Sequence, residues 1–180
     1  MSISGLLLKT FGWRVSLKAP RRNKCVICVA PHTSNWDFIL GLLAYKSVGR
    51  KANFLMKESW FFFPLKYVFR HFGGIPVTRS RKGDLTTQLI RKFKETDYMN
   101  LAITPEGTRS GKAEWHTGFL RIAYGAGVLV QLGVIDYKHK QIIIDEEFSP
   151  TGDIEADLAR IKSYYAPFAD CARYPEKFQI

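Results

Sequence analysis

At 180 residues the chain is long enough for one domain with a sizeable core and too short for two of ordinary size. Hydrophobic residues make up 46% of it, which excludes an intrinsically disordered chain. With 27 Lys+Arg against 16 Asp+Glu the formal net charge is +11, so an anionic partner or surface is expected.

The first predicted element is a helix over about residues 3–12. Residues 1–24 carry Lys9, Arg14, Lys18, Arg21, Arg22 and Lys24 and no acid, interleaved with Leu6, Leu7, Leu8, Phe11 and Trp13. Basic residues beside an apolar and aromatic cluster suit an element lying on anionic lipid. The same pattern suits a solvated helix packed on the domain, and both readings stand. We therefore divide the chain into a basic, amphipathic, membrane-facing segment at 1–24 and a domain at 25–180. No run approaches the ~18 apolar residues of a spanning helix, and no secretory signal pattern is present. The expected location is cytoplasmic, peripheral on the inner membrane face.

A buried strand is predicted around 26–30, ended by Pro31, with a helix from Trp36 to Val48 and Ser34 or Asn35 as its N-cap. His32 and Asp37 fall at this junction. Positions five apart on one continuous helix differ by about 500°, roughly 140° off a common face. They can therefore meet only if His32 precedes the helix and Asp37 sits in its first turn. A carboxylate on one imidazole nitrogen fixes the tautomer and frees the other as a general base, although Asp37 is also an ordinary first-turn helix acid. Cys25 and Cys28 lie three apart on this strand and point to opposite faces, as buried structural thiols rather than a redox or metal pair. The four histidines and Cys171 show no zinc-ligand spacing, so no metal is expected.

A strand at 53–56 and a helix at 59–72 follow. Aromatic residues run nearly all round the second of these, from Trp60 to Phe72. Either that helix is buried, or part of it dips into a bilayer interface alongside Lys57, Lys66 and Arg70. Next come a strand at 75–78 after the Gly73-Gly74 hinge, a helix at 84–95 and a strand at 99–103. The chain closes with a helix at 118–126, strands at 128–137 and 141–145 forming an antiparallel hairpin, and a helix at 153–165. This alternation predicts a single α/β domain with a largely parallel sheet flanked by helices and an N-terminal amphipathic helix. Gly125-Ala126-Gly127 lacks the third glycine of a dinucleotide fingerprint, and no Gly-x-Ser-x-Gly is present.

Three blocks occur in order: His32-Thr33-Ser34-Asn35-Trp36-Asp37, Gly74-Ile75-Pro76-Val77-Thr78-Arg79 and Pro105-Glu106-Gly107-Thr108-Arg109-Ser110. Together they resemble the glycerophospholipid acyltransferase family of the lysophosphatidic acid type, over roughly residues 25–135. The resemblance implies acyl transfer from a thioester donor, acyl-CoA or acyl carrier protein, to the hydroxyl of a lysophospholipid such as 1-acylglycerol-3-phosphate. It implies His32 as base and Asp37 as its orienting acid, with Gly74, Arg79, Glu106, Gly107, Thr108 and Arg109 serving acceptor binding. It also implies direct transfer without a covalent intermediate, metal or cofactor. Two departures touch acceptor preference: His116 stands before Thr117-Gly118 where the family usually has Lys, and Leu129 replaces a usual Pro.

From the residues alone, Arg79 and Arg109 suit a phosphate, being planar forks that engage two oxygens. Glu106 has a structural alternative, bracing Arg109 or a backbone amide. Backbone N–H groups near the helix start after His32 are candidate oxyanion donors. The expected partners are a lysolipid acceptor, an acyl thioester donor and an anionic membrane surface. The alternatives are a different lipid acceptor, such as an amino-acid lipid precursor, or a non-enzymatic protein binding anionic lipid or nucleic acid. The charge and aromatics would serve nucleic acid, but no such motif is present and none is expected as a partner.

Overall fold

The computed structural model describes residues 2–77, 82–111 and 114–180, with the backbone alone at 82–84. One seven-stranded sheet, in the order β1-β7-β6-β2-β5-β3-β4, organises the molecule. Its strands are β1 (Arg14–Ser16), β2 (Lys24–Val29), β3 (Asn53–Lys57), β4 (Gly74–Val77), β5 (Met99–Ile103), β6 (Val130–Asp136) and β7 (Gln141–Phe148). Every neighbouring pair is parallel except the β6–β7 hairpin, so the expected largely parallel α/β sheet is observed.

The helices are α1 (Ile3–Thr10), α2 (Asn35–Ser47), α3 (Leu65–His71), α4 (Lys82–Glu95), α5 (Gly118–Ala126) and α6 (Ile154–Tyr165). Side-chain alternation along β2 sorts them into two layers. Val26 and Cys28 face a core built with Leu89 and Phe93 of α4, Phe119 and Leu120 of α5, and Ile161 and Tyr165 of α6. Cys25 and Ile27 face the other side, with Tyr45 of α2. Both thiols are buried and free, on opposite faces as expected, and burial pushes each up to about 12. All seven residues of β6 are buried, as a strand covered on both faces requires. Tyr165 reaches from α6 to the sheet, where its hydroxyl donates to the Cys28 carbonyl at 2.7 Å and accepts from the Gly133 amide at 3.1 Å.

The structure amends the predicted elements in two places. The helix expected over 59–72 is a short 3-10 turn, Glu58–Trp60, followed by α3. Pro64 has no N–H to give and biases Phe63 away from helical backbone, so the helix restarts at Leu65. Strand β1, too short to show alternation, pairs Arg14–Ser16 with Gln141–Ile143. Leu8 of α1 is buried with Leu40 and Ala44 of α2. Ile3, Leu6 and Leu7 of α1 and Phe11 at its C-cap are exposed, whereas Ser4 is buried. Among the described residues no helix is long and apolar enough to cross a membrane.

Candidate active site

Strands β2 and β5 are neighbours, with Cys28 opposite Ile103, so the loops leaving their carboxyl ends emerge side by side. In open α/β sheets this is the end where ligands bind. The β2 loop carries His32 and the β5 loop carries Glu106. The Glu106 Oε1 accepts the backbone N–H of His32 at 2.8 Å and ties the two loops together.

Helix α2 starts where the sequence places it. Ser34 is its N-cap and Asp37 its third residue, the two forming a capping box. The cap brings the carboxylate back towards the preceding loop. Asp37 Oδ2 accepts the amides of Thr33 and Ser34, each at 2.9 Å, and lies 3.1 Å from Nδ1 of His32. That last contact is a close ion-pair approach off the line of a full N–H···O bond. Nδ1 is buried against Asp37, leaving Nε2 as the nitrogen on the cavity side. Asp37 Oδ1 accepts the Tyr137 hydroxyl at 2.6 Å. Burial alone would push the Asp37 carboxyl up, but the His32 ring, the Tyr137 hydroxyl and the Ser34 amide outweigh it and hold the group below its ordinary value. Asp37 is therefore an anion at neutral pH, suited to orient an imidazole and stabilise its protonated form.

A cavity of about 470 Å³ opens beside this pair, lined by His32, Thr104, Gly107, Thr108, Arg109, Ser110 and Lys177. The wall is built from hydroxyls and two cations. Gly107 has φ +64°, and a Cβ there would lie 2.4 Å from the ring of His116, so the glycine accommodates both the turn and its neighbour. The hydroxyls of Thr108 and Ser110 bond one another at 2.7 Å.

The expected acceptor-binding residues divide. Gly107, Thr108 and Arg109 line the cavity with His32, whereas Glu106 is only 1% exposed and turns to the His32 amide. It braces the loop, as its structural alternative had it. Burial pushes its carboxyl up to about 8, the His32 amide opposes this, and the charge on Asp37 adds to it. Its second oxygen, Oε2, is buried with no hydrogen-bond partner among the described residues. Gly74 does not join the cavity. It begins β4 at the opposite, amino end of the sheet, in a separate cleft of about 280 Å³ with Arg70, Lys92 and Tyr98. There a Cβ would meet the Phe69 carbonyl at 2.9 Å, so Gly74 serves the packing of α3 on β4. Arg79 lies outside the described residues. Of the candidate oxyanion donors near the helix start, the amides of Thr33 and Ser34 are already committed to Asp37, and that of His32 itself to Glu106.

Several contributors have no local sequence signal. Tyr137, 100 residues from Asp37, sits just past β6 and packs edge-on against Trp13 at 5.1 Å. The Arg173 guanidinium lies 5.9 Å from the ring centres of both Trp36 and Tyr137. Asp136, His139 and Cys171 bring ligand atoms within 4.8 Å of one another. Asp136, however, already accepts the His139 amide at 2.9 Å and its ring at 2.7 Å, which closes the β6–β7 turn.

The family model described as Acyltransferase matches residues 14–135, more than half of the chain. The chain belongs to the acyltransferase family. Among solved structures, this acyltransferase is similar to PlsC, the 1-acyl-sn-glycerophosphate acyltransferase of Thermotoga maritima. The TM-score is 0.57 at 20% identity, over 91% of this chain and 77% of that one. At that identity the likeness speaks for the fold. No curated protein matches the acyltransferase significantly. The matched region holds His32, Asp37 and the Glu106–Arg109 loop, while Tyr137, Arg173 and Lys177 lie beyond it.

Proposed function

We propose that this acyltransferase moves a fatty acyl group from a thioester, acyl-CoA or acyl carrier protein, to the hydroxyl of a lysophospholipid of the 1-acylglycerol-3-phosphate type. The observation that carries this reading is the His32–Asp37 pair at the edge of a cavity walled by Arg109 and Lys177. A hydroxyl is a weak nucleophile at neutral pH. His32 Nε2 takes its proton as the oxygen attacks the thioester carbonyl, and Asp37 stabilises the imidazolium that forms. Collapse of the tetrahedral intermediate breaks the C–S bond, and the departing thiolate receives the proton from His32. The balance closes without an acyl-enzyme, a metal or a prosthetic group.

The phosphate preference is supported by the cavity wall, which Arg109 and Lys177 line with no carboxylate among the described lining residues. The structural relative, a 1-acyl-sn-glycerophosphate acyltransferase, favours the same acceptor class. Peripheral attachment to the inner membrane face is supported by exposed apolar residues on three helical segments. These include Leu6 and Leu7, then Trp36 and Ile39, then Trp60 and Phe63.

The test is free-thiol release from a panel of acyl-CoA and acyl-carrier-protein donors, with and without lysolipid acceptors, for wild type and His32→Ala. Acceptor-dependent release that falls by at least about 10³ in the variant is expected, with donor binding retained. Near-normal turnover in His32→Ala refutes the base assignment. Transfer only to acceptors without phosphate refutes the acceptor class. Attachment is read separately by flotation with anionic vesicles, where Phe63→Glu with Trp60→Glu weakens binding if that surface meets lipid.

A further inference from the structure

We propose that Lys177 recognises the anionic head group of the acceptor, a phosphate monoester, and that residues 172–179 form a strap that carries it into the site. This deepens the acceptor reading above and rests on it for the identity of the substrate.

The strap lies outside the matched family region, yet it is fastened to the catalytic loops on both sides of Lys177. Before it, the Tyr174 amide donates to Oγ1 of Thr33, the residue after the proposed base, at 3.2 Å. Arg173 spans the rings of Trp36, Tyr137 and Tyr174. After it, Phe178 is buried with its ring 6.1 Å from Trp115, whose Nε1 donates to the Gln179 carbonyl at 3.2 Å. At Lys177 itself the backbone passes so close to the Glu106–Ser110 loop that a Cβ on Gly111 would lie 2.9 Å from its carbonyl oxygen. The amide of Lys177 donates to the Tyr174 carbonyl at 2.9 Å, and its ammonium rests 4.4 Å from the Tyr174 ring centre. The side chain therefore starts from a fixed backbone.

Charge completes the argument. Lys177 and Arg109 line the same cavity as His32, with the hydroxyls of Thr104, Thr108 and Ser110 between them. Among the described residues neither cation is within ion-pair distance of a carboxylate. Among the described residues this lining holds two cations, three hydroxyls and no acid, which is complementary to a dianionic phosphate. In a 1-acylglycerol 3-phosphate the free hydroxyl and the phosphate ester sit on adjacent carbons. A phosphate held across Arg109 and Lys177 thus leaves the hydroxyl within the cavity that His32 borders.

The experiment is a titration of glycerol 3-phosphate, followed by calorimetry or phosphorus NMR, against wild type, Lys177→Gln, Lys177→Arg and Lys94→Gln. Lys94 is an exposed cation on α4 that controls for net charge. Lys177→Gln is expected to weaken binding by at least about fivefold, as for one lost charge-assisted contact, and Lys177→Arg to restore most of it. With substrates, Lys177→Gln is expected to raise the KM for a phosphorylated acceptor relative to an uncharged monoacylglycerol. Wild-type-like binding in Lys177→Gln, an equal loss in Lys94→Gln, or no glycerol 3-phosphate binding by wild type overturns the proposal. The two readings separate cleanly. Turnover of a phosphorylated lysolipid with a KM indifferent to Lys177 defeats the strap and spares the function. Lys177-dependent phosphate binding without acylation of any phosphorylated acceptor does the reverse.

Discussion

Replacing Glu106 by glutamine changes one property of the site and preserves the other. Glutamine keeps an oxygen for the His32 amide, which Glu106 holds at 2.8 Å, and removes a carboxyl that burial pushes up to about 8. In the unfolded chain that carboxyl ionises near its ordinary 4.5. Below this value both states are protonated and the carboxyl favours neither state through its proton. Between there and about 8 the unfolded chain releases a proton that the native state retains, so native stability falls as pH rises. Above it the slope vanishes. At roughly 1.4 kcal/mol for each unit separating the two values, the loss reaches about 5 kcal/mol at most, and about 2–4 if water reaches Oε2 once the carboxyl is charged. Urea unfolding of wild type and Glu106→Gln from pH 5 to 9 isolates the effect, because the other titrating groups are common to both proteins. The stability difference, variant minus wild type, is expected to grow by about 2–4 kcal/mol across this range, with equal m-values. Parallel pH curves would refute the argument and mean that the native Glu106 carboxylate is paired or solvated.

Other substitutions probe the remaining supports. Tyr137→Phe removes the 2.6 Å donor to Asp37 and raises the carboxyl towards its ordinary value. The expected result is a kcat lower by about tenfold and an acid limb of the pH–rate profile displaced upward; a limb that stays in place assigns Tyr137 to packing alone. Tyr165→Phe strands the Cys28 carbonyl and the Gly133 amide inside the sheet and is expected to cost about 2–4 kcal/mol in urea unfolding. A loss of only a few tenths would show that these groups find other partners. Gly107→Ala forces a left-handed alanine into the His116 ring, at a backbone cost of about 1–2 kcal/mol before the clash. Adding His116→Ala should recover the steric part of the Tm loss and not the backbone part; full recovery would remove the role assigned to the positive φ.

The legibility of this site in the sequence follows chain distance. Ser34 and Asp37 are three residues apart, and a capping box is a local pattern, so the turn that brings Asp37 to His32 could be read directly. Cys25 and Cys28 were equally legible, because strand alternation needs no partner to be seen. The Glu106–Arg109 loop was visible as a block, but only the fold shows Glu106 turning inward while Arg109 faces the cavity. Nothing near Tyr137 marks it as a ligand of Asp37, since the two meet only through the placement of β6 beside β2. Lys177 is one of many cations in a basic chain, distinguished by the strap alone. The break at Pro64 follows from proline's backbone chemistry, but the aromatic run around it hid the signal.

The sheet order has a consequence for how the molecule is made. Strand β1 is joined to the sheet by β7, which is synthesised more than a hundred residues later, and the phenol bracing Asp37 arrives almost as late. Pairings this distant carry a loop-closure cost that local ones avoid, and they form last. A chain still leaving the ribosome can thus cap α2 and align His32 early. It lacks the bracing phenol and the finished sheet until the hairpin has cleared the exit tunnel. Until then the edge that β6 will cover stands open beside β2, which makes the growing chain most vulnerable to mispairing just before it becomes an enzyme.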